Sequence, residues 1–319
     1  MDYQSNPLRA HRRNVPSLRR WAVAARKAAM LPAALVFVAA LPEAAAHGPE
    51  QPSTMASGPV INCGSRGVDL QKFIDIASPG QTLRITGNCS GGPYLIDKSL
   101  KLVGVNGAAT LSAPSVTGGY VLAVTGRVQV ELRDFSVDGT GNQAALDIQR
   151  GATALVSGLT IPTGKFGIVV EFNSHADIYA SSINHLTGTA IYLQHDASAT
   201  ITGNRLEGNL NNVGVAFNSS AVLDANSIRA ASNVGVFIGR MSTVILVGNT
   251  ITQNTGGGVL LQPDYALVAA VDSPNTIELN GNSDVICEDK GIYQADTPAK
   301  SSTRRAAIAS GCTVKGSIF

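Results

Sequence analysis

Hydrophobic and polar positions alternate in short runs through most of this chain, and the runs recur at a fixed interval. One apolar column consists of Val137, Ile161, Ile183, Leu206, Ile228, Ile251 and Ile277, at successive intervals of 24, 22, 23, 22, 23 and 26. A second runs through Leu146, Ile168, Ile191, Val215, Val236 and Val259, at intervals of 22, 23, 24, 21 and 23. Each repeat carries period-two alternation rich in β-branched residues and broken by Gly, Asn, Ser or Asp, which predicts two or three short strands separated by turns. Such a unit is too small to bury a core alone. Stacking solves this, because each strand pairs with its counterpart in the next coil and the inward residues become continuous aliphatic columns.

A third column supports stacking. Asn204, Asn226, Asn249 and Asn275 each lie two residues before an anchor of the first column, at a turn. Stacked side-chain amides both donate and accept, so the four are expected to form a structural ladder. Leucine-rich repeats share the period but need a helical segment and a leucine frame that are missing here, and propeller blades need about twice the length. Ahead of the repeats, Leu70, Phe73, Ile74 and Ala77 have the i, i+3, i+4, i+7 spacing of a short amphipathic helix ended by Pro79-Gly80. A helix there would cover the open edge of the first coil.

With its period, its Asn turn and this N-terminal block, the stretch from Asn62 to Asp289 resembles the right-handed parallel β-helix proteins of the pectin-lyase-like superfamily. The expected fold is all-β: a single-stranded right-handed parallel β-helix of about nine coils with a short N-terminal capping helix. The resemblance carries over no catalytic residue. The Asn-Thr-Asp, Asp-Asp and Gly-His-Gly patterns of the pectin hydrolases are absent from the sequence.

Composition fits this reading. Charged residues are 14% of the 319, where about a quarter is usual, and aromatics are 5%, so the core must be aliphatic. The net charge of +2 averages two unlike pieces. Seven of the 24 Lys and Arg lie between Arg9 and Lys27, and beyond Ala46 the basic side chains number 17 against 20 acidic. No basic stripe remains for a nucleic acid. Residues 1–46 read as a signal peptide with a long basic n-region, an apolar run from Ala28 to Leu41 and an Ala44-Ala45-Ala46 cleavage site, an uncleaved anchor being the alternative. Residues 47–61 read as a linker, 62–290 as the β-helix with its cap, and 291–319 as a C-terminal cap. The expected location is periplasmic or secreted, with no membrane contact for the mature body.

Four cysteines in an oxidising compartment allow three pairings. They lie as one pair near each end, so Cys63–Cys89 and Cys287–Cys312 are the expected bonds. No C-x-x-C spacing suggests a metal site, and His175, His185 and His195, ten residues apart, fall at different phases of the coil. Neither metal nor cofactor is implied.

Alternation along the AIYLQH strand points Ile191 and Leu193 inward and Tyr192 and Gln194 outward. Carried to every coil, this gives an outer row of Asp147, Val169, Tyr192, Ala216, Phe237 and Leu260. A second row holds Gln149, Glu171, Gln194, Asn218, Gly239 and Gln262, and the turn beyond holds Arg150, Phe172, His195, Ser219 and Arg240. Amides, rings and guanidiniums suit sugar hydroxyls, pyranose faces and uronate carboxylates. Gln149, Arg150, Tyr192, Gln194, Phe237 and Gln262 are therefore substrate-binding candidates, and Glu171, His195 and Arg240 catalytic ones. Binding of a polysaccharide or another surface partner along this face, without catalysis, is the first expectation, because short repeats leave little chain for loops walling a cleft. The alternative is a carbohydrate-active enzyme on an acidic polysaccharide, a polysaccharide lyase ahead of a glycoside hydrolase. A lyase would use Arg150 or Arg240 with Gln194 to neutralise the uronate and His195 or Tyr192 as base; a hydrolase would pair Glu171 with Asp147 or Asp196. An ordinary solvated face would show the same mixture of residues.

Overall fold

The computed structural model describes residues 59–114, 119–262, 266–269, 275–288, 292–295 and 313–315, with the backbone alone for 266–269, 292–295 and 313–315. All belong to one unit, Thr54–Phe319. The segment read as a signal peptide and most of that read as a linker lie outside the described residues, although the first strand, Val60–Asn62, already begins within the stretch read as linker.

The chain coils into a right-handed parallel β-helix, and successive coils repeat at about 23 positions along the chain, as between Ser181 and Asn204. Nine strands, from Tyr94–Ile96 to Val285–Cys287, form one parallel sheet. Two further ladders merge into a 19-stranded sheet. They merge because the long strand Leu100–Ser112 runs through both, pairing with Gln129–Arg133 at one end and Ser136–Asp138 at the other. Strands Ile292–Ala295 and Thr313–Lys315 go on pairing in parallel, so stacking extends into the segment read as a C-terminal cap.

Register explains the core. Leu102, Leu132, Val156, Ile178, Ile201, Leu223 and Leu246 pair in succession, each with no exposed surface. The column from Val137 to Ile277 is buried throughout, as expected. Each inward Leu or Ile contributes about 1.5–3 kcal/mol relative to exposure. In the second column Ile191 pairs with Val213, not Val215, and Val213 pairs with Val236. The triplet Val213-Gly214-Val215 imitates Val234-Gly235-Val236 two residues out of phase. Gly214, Ala216 and Phe217 therefore take the places expected of Ala216, Asn218 and Ser219.

The asparagine ladder forms. Asn204 donates to Asn226 at 3.0 Å, Asn226 to Asn249 at 2.9 Å and Asn249 to Asn275 at 2.9 Å. Each also donates to a backbone carbonyl left over by the turn. A second ladder escapes the sequence. Asn209 and Asn254 cap backbone N–H groups in the preceding coils, and Asn254 donates to Asn280. Ala231 occupies the intervening step, and Asn212 fills it from another strand. It accepts from Asn209 at 2.8 Å and donates to Asn254 at 3.3 Å.

The predicted helix spans Leu70–Ile76, with Asp69 as its N-cap. It buries Leu70 and Ile74 but leaves Phe73 exposed. Gln71 both accepts from the Leu95 N–H at 2.8 Å and donates to the Leu95 carbonyl at 3.0 Å. One side-chain amide thus does for the edge of the nine-stranded sheet what a neighbouring strand would do. Cys63 and Cys89 are bonded. Cys287 is also disulfide-bonded, and Cys312 lies outside the described residues.

Candidate functional site

The outward rows of the nine-stranded sheet carry the chemistry. Asp147 pairs with Val169, Val169 with Tyr192, Tyr192 with Gly214 and Gly214 with Phe237; Glu171 pairs with Gln194. A shallow cleft of about 300 Å³ forms over the first of these coils, lined by residues including Tyr120, Gln143, Asp147, Phe166, Glu171 and Tyr192.

Its floor holds two carboxyl groups. Glu171 accepts from the Gln194 amide at 2.6 Å. Asp147 accepts from Gln149 at 3.2 Å on one oxygen, while its other oxygen is buried without a hydrogen-bond partner. Burial pushes the Asp147 carboxyl up from the ordinary carboxylate range to about 7, the negative charge of Glu171 adds to this, and Arg150 opposes both. Near neutral pH a proton is therefore available on Asp147.

The cleft wall is aromatic. The Phe166 and Tyr192 rings stack at 5.8 Å with an interplanar angle of 16°. Lys165 sits 5.6 Å above Phe166 and donates to Gln143 at 3.0 Å. Burial raises the Tyr192 hydroxyl pKa, against a smaller lowering by Arg240. Phe166 and Lys165 were not read from the sequence. Their signal is positional: Phe166 and Tyr120 both pair with Ala144 at the strand starts, three residues before the row containing Asp147 and Val169.

Elsewhere the candidates separate. At the turn after the sheet, Arg150, Phe172, His195, Phe217 and Arg240 all adopt left-handed backbone, with φ between 54° and 60°. His195 lies between Phe172 and Phe217, 4.9 Å from each ring, and the Arg240 guanidinium covers Phe217 at 4.3 Å. The His195 Nδ1 is buried without a partner. Phe237 and Gln262 lie farther along the sheet, beyond the cleft. Ser219 instead belongs to an inner file of serines, accepting from the Ala197 N–H while Ser242 accepts from its own. Asp196 is exposed and accepts from Asn218.

His175 faces the other sheet, between Ser198 at 2.9 Å and Asp177 at 3.3 Å, so it does not converge with His195. Among the described residues no group of three His, Cys, Asp or Glu is placed to hold a metal ion. Nor is any helix among them long and apolar enough to cross a membrane.

Comparison with known proteins agrees with this architecture. A family described as the right handed beta helix region matches residues 120–264. No curated protein matches the chain in sequence. Among solved structures, pectate lyase Pel9A superposes with a TM-score of 0.56 at 9% identity, over 81% of this chain and 79% of the other. An alginate lyase from Paenibacillus sp. str. FPU-7 gives 0.51 at 13% identity, over 81% and 98%. Tailspike protein 2 of an Escherichia coli O157:H7 bacteriophage gives 0.55 at 11% identity, over 81% and 41%. Coil period, register and these superpositions agree that the chain has the right-handed parallel β-helix fold.

Proposed function

We propose that the protein hydrolyses a polysaccharide laid across the nine-stranded sheet, with Asp147 as general acid and Glu171 as general base. The observation that carries this is the placing of two carboxyl groups one coil apart in one cleft, Asp147 with a buried, unpartnered oxygen and a pKa raised by burial to about 7. A carboxyl group whose proton is retained by burial, beside a second carboxyl group, suits the acid half of an acid–base pair. One coil and two residues of offset separates them by roughly 8 Å, which suits an inverting reaction. Asp147 gives its proton to the glycosidic oxygen as that bond breaks. Glu171 takes a proton from the water that attacks the anomeric carbon on the opposite face. Gln149 and Gln194 hold the two carboxyls, and the Phe166–Tyr192 wall offers an apolar surface to a sugar ring.

Of the groups an elimination would use, His195 and Arg240 are committed to a ring stack, which leaves it Arg150 and Tyr192, whereas both carboxyls of the hydrolytic pair line the cleft. An acidic glycan fits the cations near the cleft, Lys165 over Phe166 and Arg150 within electrostatic reach of Asp147, and fits the pectate and alginate named for two structural neighbours. Export is supported by the Cys63–Cys89 bond together with the basic, then apolar, N-terminus.

The test is incubation with polygalacturonate and alginate, following reducing ends, ultraviolet absorbance of unsaturated products, and binding. New reducing ends without unsaturation, lost in Asp147→Asn and Glu171→Gln while binding persists, are expected. Unsaturated products would assign a lyase instead, and binding with no turnover would leave a carbohydrate-binding protein.

A further inference from the structure

Two glycines on the outward face of the nine-stranded sheet are not required by their own backbone. Neither Gly214 nor Gly239 has positive φ. What a side chain would meet there is mainly aromatic. A Cβ on Gly214 would lie 2.8 Å from Tyr192 Cδ2 and 3.1 Å from Phe237 Cδ1. A Cβ on Gly239 would lie 2.8 Å from Phe237 Cε2, 3.1 Å from its Cζ and 2.8 Å from Gln262 Oε1. Tyr192 and Phe237 thus lean in over Gly214 from the coils on either side, and Phe237 lies low enough to cover Gly239 as well. Glycine inside a strand weakens it and often marks a close approach. Here the close approach is by the rings, which remain partly exposed above the sheet.

We propose that Tyr192, Gly214, Phe237 and Gly239 form the floor of a second sugar seat. The apolar face of a pyranose stacks on the rings, and Gln194 and Gln262 on either side reach its hydroxyls. This rests on the reading of the sheet as a polysaccharide-binding face. It adds that one glycan occupies two places, since Phe237 stands four coils from Asp147, ~19 Å at parallel-strand spacing. Only a chain of several sugars touches both. The glycines set the height of the floor: any side chain at position 214 lifts both rings.

The experiment measures direct binding of size-graded oligogalacturonides and alginate oligosaccharides to Glu171→Gln protein, alone and combined with Phe237→Ala or Gly214→Ala. Loss of a stacked ring lowers affinity about tenfold. The expected result is that loss for long chains in Phe237→Ala, a smaller one in Gly214→Ala, and no change for the shortest oligosaccharides that still bind. Gly214→Ala removes no buried group, so it guards against a folding artefact in the other variant. Equal losses for short and long chains, no loss in either variant, or no binding of any probe overturns the seat. Kinetics on the catalytically intact background separate the two readings. Turnover with an unaltered long-chain KM in Phe237→Ala removes the seat and keeps hydrolysis, whereas length-dependent binding without turnover keeps the seat and removes hydrolysis.

Discussion

Asn212 donates its side-chain amide to Asn254, 42 residues later in the chain and 3.3 Å away, across a coil whose own ladder position is Ala231. It also donates to the Arg229 carbonyl and accepts from Asn209. All three asparagines are fully buried or nearly so. Removing a buried partner exposes the remaining groups to an unmet desolvation cost of about 1–3 kcal/mol each. Asn212→Ala should therefore lower the unfolding midpoint clearly, whereas Asn218→Ala on the exposed turn should not. Thermal denaturation of the two variants decides this, and equal midpoints would show that the relay contributes nothing.

The raised Asp147 pKa has two consequences of known sign. As a general acid, Asp147 must be protonated, so activity falls as pH rises through about 7. The same shift affects folding. Between the ordinary carboxylate range and about 7 the folded chain holds a proton that the unfolded chain has lost, so stability declines as pH rises through that window and levels off above it. Asp147→Asn should abolish turnover and remove this part of the decline. Denaturation midpoints for both proteins at acidic and alkaline pH test the stability effect independently of any substrate.

His195 separates a structural from a catalytic role. Aromatic stacking contributes about 0.5–1.5 kcal/mol beyond burial. His195→Phe should keep the stack between Phe172 and Phe217 and preserve stability and turnover, whereas His195→Ala should lower stability by about 1 kcal/mol. Loss of turnover in His195→Phe at unchanged stability would make the imidazole a proton-transfer group.

Gly104 lies in the long strand where two ladders meet. A Cβ there would run into the Asp134 carbonyl of the next coil, and Asp134 has φ of 61°. Backbone cannot yield as a flexible side chain can. Gly104→Ala should cost about 3 kcal/mol, the upper end of the range for an overpacked core. Chemical denaturation would measure this, and an unchanged midpoint would show that the two coils can move apart there.

Much of this was legible because two periods, two residues along a strand and about 23 along the chain, together fix which face each residue takes. They place Asp147, Glu171, Tyr192 and Gln194 on one face, and align Asn204 with Asn275. Reading failed where the pattern repeats within itself. Val213 and Val215 both point inward and both flank Gly214, so the apolar pattern alone cannot choose between them. That slip put Ser219 where Phe217 completes the ring stack. The second asparagine ladder was hidden by Ala231, since its substitute comes from a different phase of the coil. The protonated state of Asp147 is a matter of desolvation, which depends on neighbours in the coils to either side. No local pattern carries it.

The parallel register gives the sheet a property of a ruler. Each coil contributes one residue to each outward row, and main-chain hydrogen bonds fix the interval between coils at ~4.8 Å. Substitution changes which group stands at a given mark, but not where the mark lies. A polymer lying along the rod therefore meets a series of evenly spaced positions, and its own repeat length selects which of them it can occupy at once.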